Sequence, residues 1–282
     1  MLRIGFVTCV RLGLSCMKAI YAAGGSLQFA MTLRDDVAPT KSGRVVLDDF
    51  CAEHRIPLTK IANVNDQVAV EAITAAELDW LFIIGWSQIA KAAVLKSARK
   101  GVLGIHPTLL PIGRGRAPIP WAILLGLQET GVTLFQLDEG VDSGPILAQR
   151  RLAIGPRETA TTLYDRIESA HFELLASIWR PLMEDRLTAR PQVHETATYW
   201  RARTPADGLL TLASSVFDAD RLIRAVTRPY PGAFLELERG RLRVWRAGAP
   251  FEDLGGAGRR GRTKRLHFAD GWIDAIEWQV EE

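Results

Sequence analysis

The chain has 282 residues, which is enough for one large domain and a smaller second one. Hydrophobic residues make up 48% and charged residues 24%, a globular composition that excludes a largely disordered chain. The formal net charge of +3 is too small to require a nucleic-acid partner and is equally compatible with an acidic small-molecule substrate.

Cysteine usage and the N-terminal segment indicate the class of protein. Cys9, Cys16 and Cys51 contain no C-x-x-C pair, so we expect reduced packing residues rather than disulfides or a zinc site. The opening MLRIGFVTCV has no cationic leader or cleavage site and predicts a first strand. No apolar run approaches the roughly 18 residues that a membrane span needs. We therefore expect a cytoplasmic protein with no membrane partner.

The first two thirds of the chain predict an α/β fold. Short apolar runs alternate with segments of helical spacing, which is typical of a parallel sheet with crossover helices. The helix pattern that follows the first strand stops at Gly24-Gly25, a common C-terminal signal. In chain order, the predicted elements are a strand at 2–9, a helix at 14–23, a strand at 27–33, a helix at 45–54 and a central strand at 80–84.

The sequence changes character after about Thr188. Its next segment has two prolines and no clear periodicity, which predicts a linker. We therefore divide the chain into a domain at 1–188, a linker at 189–206 and a small domain at 207–282.

The small domain is predicted to be β-rich. Asp218 is expected to cap a helix, and hairpin turns are predicted at Arg239-Gly240 and at Asp270-Gly271. Short strands of this kind suggest a partial barrel. The glycine- and arginine-rich segment 255–265 is predicted to be a loop between strands.

The segment 101–149 carries the most candidate chemistry. It begins GVLGIHPTLLPIGRGRAPIPW and ends FQLDEGVDSGPILAQ. His106 follows an apolar strand and precedes Pro107, so we expect it at the carboxyl edge of the sheet, where open α/β folds bind ligands. Prolines and glycines stiffen the loop that follows, and its Arg114 and Arg116 would suit an anionic group.

A second polar loop follows the predicted strand 132–137 and contains Asp138, Glu139 and Asp142. A His and an Asp at neighbouring strand ends could form a hydrogen-bonded acid–base pair. The residues alone leave other interpretations open. A lone His after a strand is usually structural, the acidic loop could bind a cation or be a solvated turn, and the arginines could pair with surface carboxylates.

Together these motifs resemble the formyltransferase family, which includes methionyl-tRNA formyltransferase, glycinamide ribonucleotide transformylase and the sugar N-formyltransferases. Residues 106–111, HPTLLP, are similar to the family motif N-x-H-x-S-L-L-P, with Thr108 in place of Ser. Residues 142–144, DSG, resemble the later D-x-G element at the family's interval from the His. One departure concerns the catalytic Asn, because that position is Gly104, which cannot donate a side-chain hydrogen bond.

The resemblance covers nearly the whole chain. The segment 78–89, LDWLFIIGWSQI, is similar to the strand and loop that line the family's folate pocket, and G-W-S-Q is typical of sugar N-formyltransferases. The segment 41–58 is similar to the same sugar enzymes. Residues 221–247 resemble the small C-terminal domain of methionyl-tRNA and aminoarabinose formyltransferases.

The resemblance implies a Rossmann-like formyltransferase domain with a mostly parallel sheet, followed by a small OB-like β-rich domain. It implies 10-formyltetrahydrofolate as the formyl donor, no metal, and His106 and Asp142 as catalytic residues. Arg114 and Arg116 are expected to bind the substrate. The residues expected to contact the folate are Trp86, Ser87, Gln88, Ile89, Asp138, Glu139, Gly140 and Val141.

The expected acceptor is the primary amine of a nucleotide-linked amino sugar. Methionyl-tRNA is the alternative, and the basic residues Arg259, Arg260, Arg262, Lys264 and Arg265 could contact its phosphates or merely form a solubilising loop. Another small amine remains an alternative acceptor. Because Gly104 replaces the family's catalytic Asn, a non-catalytic folate-binding protein also remains an alternative function. A dinucleotide dehydrogenase is disfavoured, because residues 5–13 do not form a G-x-G-x-x-G loop. A homodimer is left open.

Overall fold

The computed structural model describes residues 2–37, 42–254 and 263–281, which form two compact units. The first unit consists of Met1–Gly115, Thr130–Leu152 and Arg166–Tyr199. The second consists of Arg116–Glu129, Ala153–Asp165 and Trp200–Glu282. The last change from the first unit to the second follows Tyr199, inside the segment predicted as a linker. The second unit also includes two segments from the middle of the chain.

The strands are β1 Ile4–Val7, β2 Phe29–Leu33, β3 Leu58–Ile61, β4 Trp80–Ile83, β5 Gly101–His106, β6 Arg114–Gly115, β7 Glu129–Gln136, β8 Ile146–Ala153, β9 Tyr199–Trp200, β10 Ala233–Glu236, β11 Arg241–Ala247, β12 Lys264–Phe268 and β13 Gly271–Glu281. The α-helices are α1 Arg11–Ala22, α2 Asp48–Glu53, α3 Gln67–Ala75, α4 Ala92–Leu95, α5 Pro118–Leu124, α6 Ala160–Met183 and α7 Val216–Val226. Two short 3₁₀ helices occupy His194–Thr196 and Pro205–Gly208.

A seven-stranded sheet runs through the first unit in the order β3-β2-β1-β4-β5-β7-β8. The neighbouring pairs from β3 to β5 are parallel, and β7 is antiparallel to β5. The predicted α/β fold with a mostly parallel sheet is therefore confirmed. Every residue of β1, β2, β4 and β5 is buried, which explains why these strands are nearly continuous apolar runs in the sequence.

The three cysteines are buried in this core and form no disulfide. Burial raises the pKa of the Cys16 thiol far above its usual range and raises the pKa of Cys51 to about 11. Both thiols are therefore protonated at neutral pH, as expected of packing residues.

Three helix starts differ from the sequence prediction. α2 begins at Asp48, three residues later than predicted. α1 begins at Arg11, three residues early, because its N-cap Val10 offers no side-chain acceptor that would mark the start. The prediction that Asp218 caps a helix is wrong. The N-cap of α7 is Ser215, whose side chain accepts a hydrogen bond from the Phe217 N–H, and Asp218 lies in the first turn.

The second unit contains a four-stranded antiparallel sheet in the order β10-β11-β13-β12, so β10 and β12 form its edges. Both predicted hairpins are present, the first turning at Gly240 with φ of 76°. The second turns at Ala269 and Asp270, one residue earlier than predicted, because Gly271 is the first residue of β13 and pairs with Phe268. Within this unit, α7 lies against β11 and α5. Of the predicted loop 255–265, residues 255–262 lie outside the described residues. Lys264 and Arg265 are part of β12, a correction to that prediction.

Among the described helices, none combines the length and apolar character needed to cross a membrane.

Candidate active site

His106 is the last residue of β5, and its side chain is held in one orientation. The imidazole is largely buried, with Nε2 2.8 Å from the Gly113 carbonyl oxygen. Because a carbonyl oxygen only accepts, Nε2 carries the proton of this hydrogen bond. The other ring nitrogen, Nδ1, is therefore left facing the Asp142 carboxylate, with Oδ2 at 3.5 Å.

Asp142 is fixed by the backbone opposite His106. Its Oδ2 accepts a hydrogen bond of 2.8 Å from the Gly115 N–H, so the same oxygen faces both His106 and the loop 113–115. Gly113 and Gly115 have φ angles of 73° and 105°, values that suit glycine. The carbonyl of Gly113 and the N–H of Gly115 thereby hold the two members of the pair.

The acidic loop reaches His106 by a route that differs from the predicted one. Since β7 is antiparallel to β5, their carboxyl ends do not lie at the same edge of the sheet. Thr133 is opposite His106, and the Leu137 N–H donates to the Val102 carbonyl, so β7 ends beside the start of β5. The loop after β7 must turn back to reach the imidazole, and Asp142 has a left-handed φ of 50° within that loop.

Gln192 ties this loop to the loop after β5. Its Nε2 donates to the carbonyls of Asp142 at 2.9 Å and Gly144 at 2.7 Å, and its Oε1 accepts from Nε and Nη2 of Arg114. Gln192 is only 5% exposed, although it belongs to the segment predicted as a linker. A lone glutamine in an aperiodic segment carries no signal of burial, and sequence reasoning missed it.

Arg114 lies inside the first unit, with a relative exposure of 1%. Besides Gln192, its guanidinium donates to the Tyr199 hydroxyl at 2.8 Å and contacts His194 Nδ1 at 3.2 Å. These contacts engage four of the five N–H groups of an arginine. Binding of a substrate anion by a pair of hydrogen bonds would require some of these contacts to break, because only one N–H group remains. Arg116 is exposed and belongs to the second unit.

The first predicted folate loop follows β4 and is braced by Gln88. Gln88 Oε1 accepts from Trp86 Nε1 at 3.1 Å and from the Val64 N–H at 2.9 Å, and its Nε2 donates to the Ala62 carbonyl at 2.8 Å. The Gln88 amide is therefore engaged within the protein. Ser87 is exposed, and Ile89 presents 62% of its surface to solvent.

The second predicted folate loop is closed by Asp138. Its carboxylate accepts from the Gly140 N–H at 3.1 Å and from the Ser143 hydroxyl at 2.8 Å. Glu139, Gly140 and Val141 are exposed at the turn, with Val141 at 42%. The loop that carries Ile89 follows β4 and begins at the edge where β5 ends, whereas the loop that carries Val141 follows the antiparallel β7 and begins at the opposite edge.

The space beside Gly104 is lined by two apolar side chains and by the Ile83 carbonyl oxygen, 3.5 Å from the position of a Cβ. A Cβ atom at this position would lie 2.8 Å from Leu137 Cδ2 and 3.3 Å from Phe135 Cε1. Contacts under 3.0 Å do not occur for a real Cβ, so a side chain at 104 would displace Leu137.

His171 on α6 is a second buried imidazole of this unit. Its Nδ1 is 2.8 Å from the Ile167 carbonyl, and its Nε2 has no partner among the described residues. Burial, with a smaller contribution from His106, lowers the pKa of His171 to about 4. The ring is therefore neutral at pH 7. Among the described residues, no group of three or more His, Cys, Asp or Glu side chains is placed to hold a metal ion.

Comparison with solved structures shows the same fold over the full length of the chain. HypX from Aquifex aeolicus, solved in complex with tetrahydrofolic acid, matches with a TM-score of 0.71 and 17% identity over 100% of this chain and 44% of HypX. This chain thus spans less than half the length of HypX. WlaRD, a sugar 3N-formyl transferase solved in the presence of dTDP and 5-N-formyl-THF, matches with a TM-score of 0.68 and 16% identity over 100% of this chain and 99% of WlaRD.

Methionyl-tRNA formyltransferase from Clostridium thermocellum matches with a TM-score of 0.62 and 18% identity, covering 100% of both chains. Residues 43–178 match the family model described as formyl transferase, and residues 203–278 match the one described as formyl transferase, C-terminal domain. The first match includes His106 and Asp142. The two matches together cover about three quarters of the sequence. This chain therefore belongs to the formyl transferase family.

Proposed function

We propose that this protein is an N-formyltransferase that transfers the formyl group of 10-formyltetrahydrofolate to a primary amine, and that the amine belongs to a nucleotide-linked amino sugar. The observation that carries the proposal is the His106–Asp142 pair, which the loop 113–115 holds in a unit matched by the formyl transferase family.

The folate donor has suitable surfaces in the first unit. The exposed side chains of Ile89 and Val141, with the half-buried Trp86, offer apolar contact to a pterin ring, while Gln88 and Asp138 brace the two loops from within. We therefore assign folate binding to these loops. 10-Formyltetrahydrofolate would supply the formyl carbon and leave as tetrahydrofolate.

Asp142 and His106 have complementary roles in the proposed reaction. As the C–N bond to the acceptor forms, Asp142 takes the proton that the attacking amine loses, directly or through one water. The proton passes from Asp142 through Nδ1 of His106 to the tetrahydrofolate nitrogen, which leaves as its C–N bond breaks. While His106 carries this proton, its positive charge stabilises the negative charge on the formyl oxygen. The hydrogen bond to Gly113 keeps the imidazole in place during both steps.

Gly104 provides no side-chain hydrogen-bond donor for the oxyanion. A lost oxyanion donor costs on the order of 3 kcal/mol in the transition state when nothing replaces it. The direction of the missing side chain is occupied by Leu137 and Phe135, which cannot donate a hydrogen bond. Stabilisation of the oxyanion therefore depends on His106 and on backbone or water donors.

The charge pairing of the second unit favours an amino-sugar acceptor over methionyl-tRNA. Similarity of fold does not separate the two acceptors, because WlaRD, solved with the nucleotide dTDP, and methionyl-tRNA formyltransferase both match the whole of this chain. In the second unit, Arg228, Arg243 and Arg265 are each paired with carboxylates. Pairing reduces the positive charge that would attract the phosphates of a tRNA.

The test is to incubate the protein with 10-formyltetrahydrofolate and either a panel of nucleotide-linked amino sugars or methionyl-tRNA, and to detect formylated product by mass spectrometry. We expect one or more sugars to be formylated, and Asp142→Asn to abolish the product. Transfer to methionyl-tRNA, but to none of the sugars, would identify methionyl-tRNA as the acceptor. Folate binding without transfer to any amine would identify a non-catalytic folate-binding protein.

A further inference from the structure

The hydrogen bonds around Gln192 point to a role in the reaction for a residue that contacts neither the formyl group nor the folate in the proposed function. We infer that Gln192, oriented by Arg114, is a positioning residue that holds the Asp142 loop in its active geometry. This inference rests on the proposed catalytic roles of His106 and Asp142.

The orientation of the Gln192 amide is fixed by its neighbours. Nε and Nη2 of Arg114 can only donate, and both lie within hydrogen-bond distance of Oε1, at 3.1 and 2.7 Å. The NH₂ end of the amide must therefore face the carbonyls of Asp142 and Gly144, which can only accept. A flipped amide would place donors against donors and acceptors against acceptors.

Gln192 donates to the backbone carbonyls of Asp142 and Gly144, which lie in the same loop. Asp142 has a φ of 50°, a left-handed conformation that Asp adopts more readily than most non-glycine residues but that is less favourable than the ordinary backbone regions. The carboxylate of the same residue accepts the Gly115 N–H and faces His106. Relaxation of this backbone would move Oδ2 away from both partners, and a misplacement of about 1 Å can lower a catalytic rate by about 100-fold.

Arg114 acts through Gln192 in this arrangement. The guanidinium is buried, and its side-chain partners are the amide of Gln192, the hydroxyl of Tyr199 and the imidazole of His194. The contacts saturate most of its donors, so its function here is to fix the acceptor end of the amide. A lysine in its place would keep the charge but could not reproduce the planar pair of hydrogen bonds to one oxygen.

The decisive variant is Gln192→Glu. The new carboxylate still accepts from Arg114, but it presents an oxygen instead of an NH₂ group to the carbonyls of Asp142 and Gly144. We expect kcat to fall by about 10- to 100-fold, while KM for the folate changes by less than about twofold. Arg114→Lys should lower kcat in the same direction without raising KM, and it carries the test alone if Gln192→Glu does not fold.

Gln28→Glu is the matched control. Gln28 accepts a hydrogen bond from the Ile4 N–H at 2.6 Å and donates to the Ser26 hydroxyl at 3.1 Å. It lies beside the first residues of β1 and β2, at the ends of these strands that are away from the loops following them. The substitution likewise replaces the NH₂ group by an oxygen, but the Ser26 hydroxyl can rotate and donate to that oxygen. It controls for the added carboxylate and should leave kcat unchanged.

The inference is overturned if folded Gln192→Glu retains the wild-type kcat, or if either test variant raises KM and leaves kcat unchanged. Asp142→Asn in the same assay separates this failure from failure of the proposed function. Loss of activity in Asp142→Asn with normal kcat in Gln192→Glu would reject only the positioning role. Activity retained in Asp142→Asn would reject the catalytic assignment itself.

Discussion

Position 104 lies two residues before His106 on β5, so side chains at both positions project from the same face of the sheet. The neighbours on that face are Phe135, which is paired with Gly104 across the strands, and Leu137. An asparagine at 104 would have to displace Leu137 before its amide could approach a formyl oxygen. The side chains of Leu137 and Phe135 therefore occupy the space that a side chain at position 104 would need.

Gly104→Asn should slow turnover by about 10-fold or more, equivalent to roughly 1.4 kcal/mol in the barrier, and should destabilise the fold by about 1–3 kcal/mol through overpacking. Steady-state kinetics and denaturant unfolding measure the two effects. The double variant Gly104→Asn, Leu137→Ala removes the clash and should recover part of both losses. A single variant faster than wild type would show instead that the natural enzyme lacks oxyanion stabilisation that an amide can supply.

His171 should make the stability of the first unit depend on pH. Its pKa is about 4 in the folded protein and about 6.5 in the unfolded chain. The unfolded state therefore binds the proton more tightly, and stability is lost as the pH falls from about 6.5 to about 4. Between pH 7.5 and 4.5, this single group should lower the free energy of unfolding by about 2–3 kcal/mol.

His171→Leu removes this titration and should show a correspondingly smaller loss over the same pH interval. Chemical denaturation at the two pH values, on both proteins, measures the difference. An identical loss in the variant would mean that the buried imidazole is not the source of the pH dependence.

At the scale of elements, the antiparallel pairing of β7 with β5 determines how the site is assembled. Apolar runs indicate that strands exist, but they do not give the direction of a strand in a sheet. The strand preceding the acidic loop could be predicted, whereas the return of that loop toward His106 could not. This return depends on the left-handed conformation of Asp142 and on the long-range bonds to Gln192.

The start of α7 gives a direct test of the corrected cap. Ser215→Ala removes the acceptor of the Phe217 N–H and should destabilise the protein by about 1 kcal/mol. Asp218→Ala is the matched control, and it should cost only a few tenths of a kcal/mol through the helix dipole. The melting temperatures of the two variants distinguish the assignments, and a larger loss for Asp218→Ala would restore the original prediction.

At the scale of the whole molecule, the sequence was sufficient for the family, the mostly parallel sheet and the antiparallel C-terminal sheet. It was not sufficient for the division into units, because the second unit includes two segments from the middle of the chain. The aperiodic segment 189–206 was predicted as a linker, yet Gln192, His194 and Tyr199 within it surround Arg114. Such packing arises from tertiary contacts, which local sequence patterns do not encode.

The central claim is that His106 and Asp142 perform formyl transfer, and the most direct measurement is kcat/KM for transfer from 10-formyltetrahydrofolate to the amino-sugar acceptor. His106→Ala and Asp142→Asn should each lower kcat/KM by at least about 100-fold, within the range of general acid–base contributions. Both variants should bind the folate with near-normal affinity, since the proposed folate loops are unchanged. A near-normal kcat/KM in either folded variant would contradict the account.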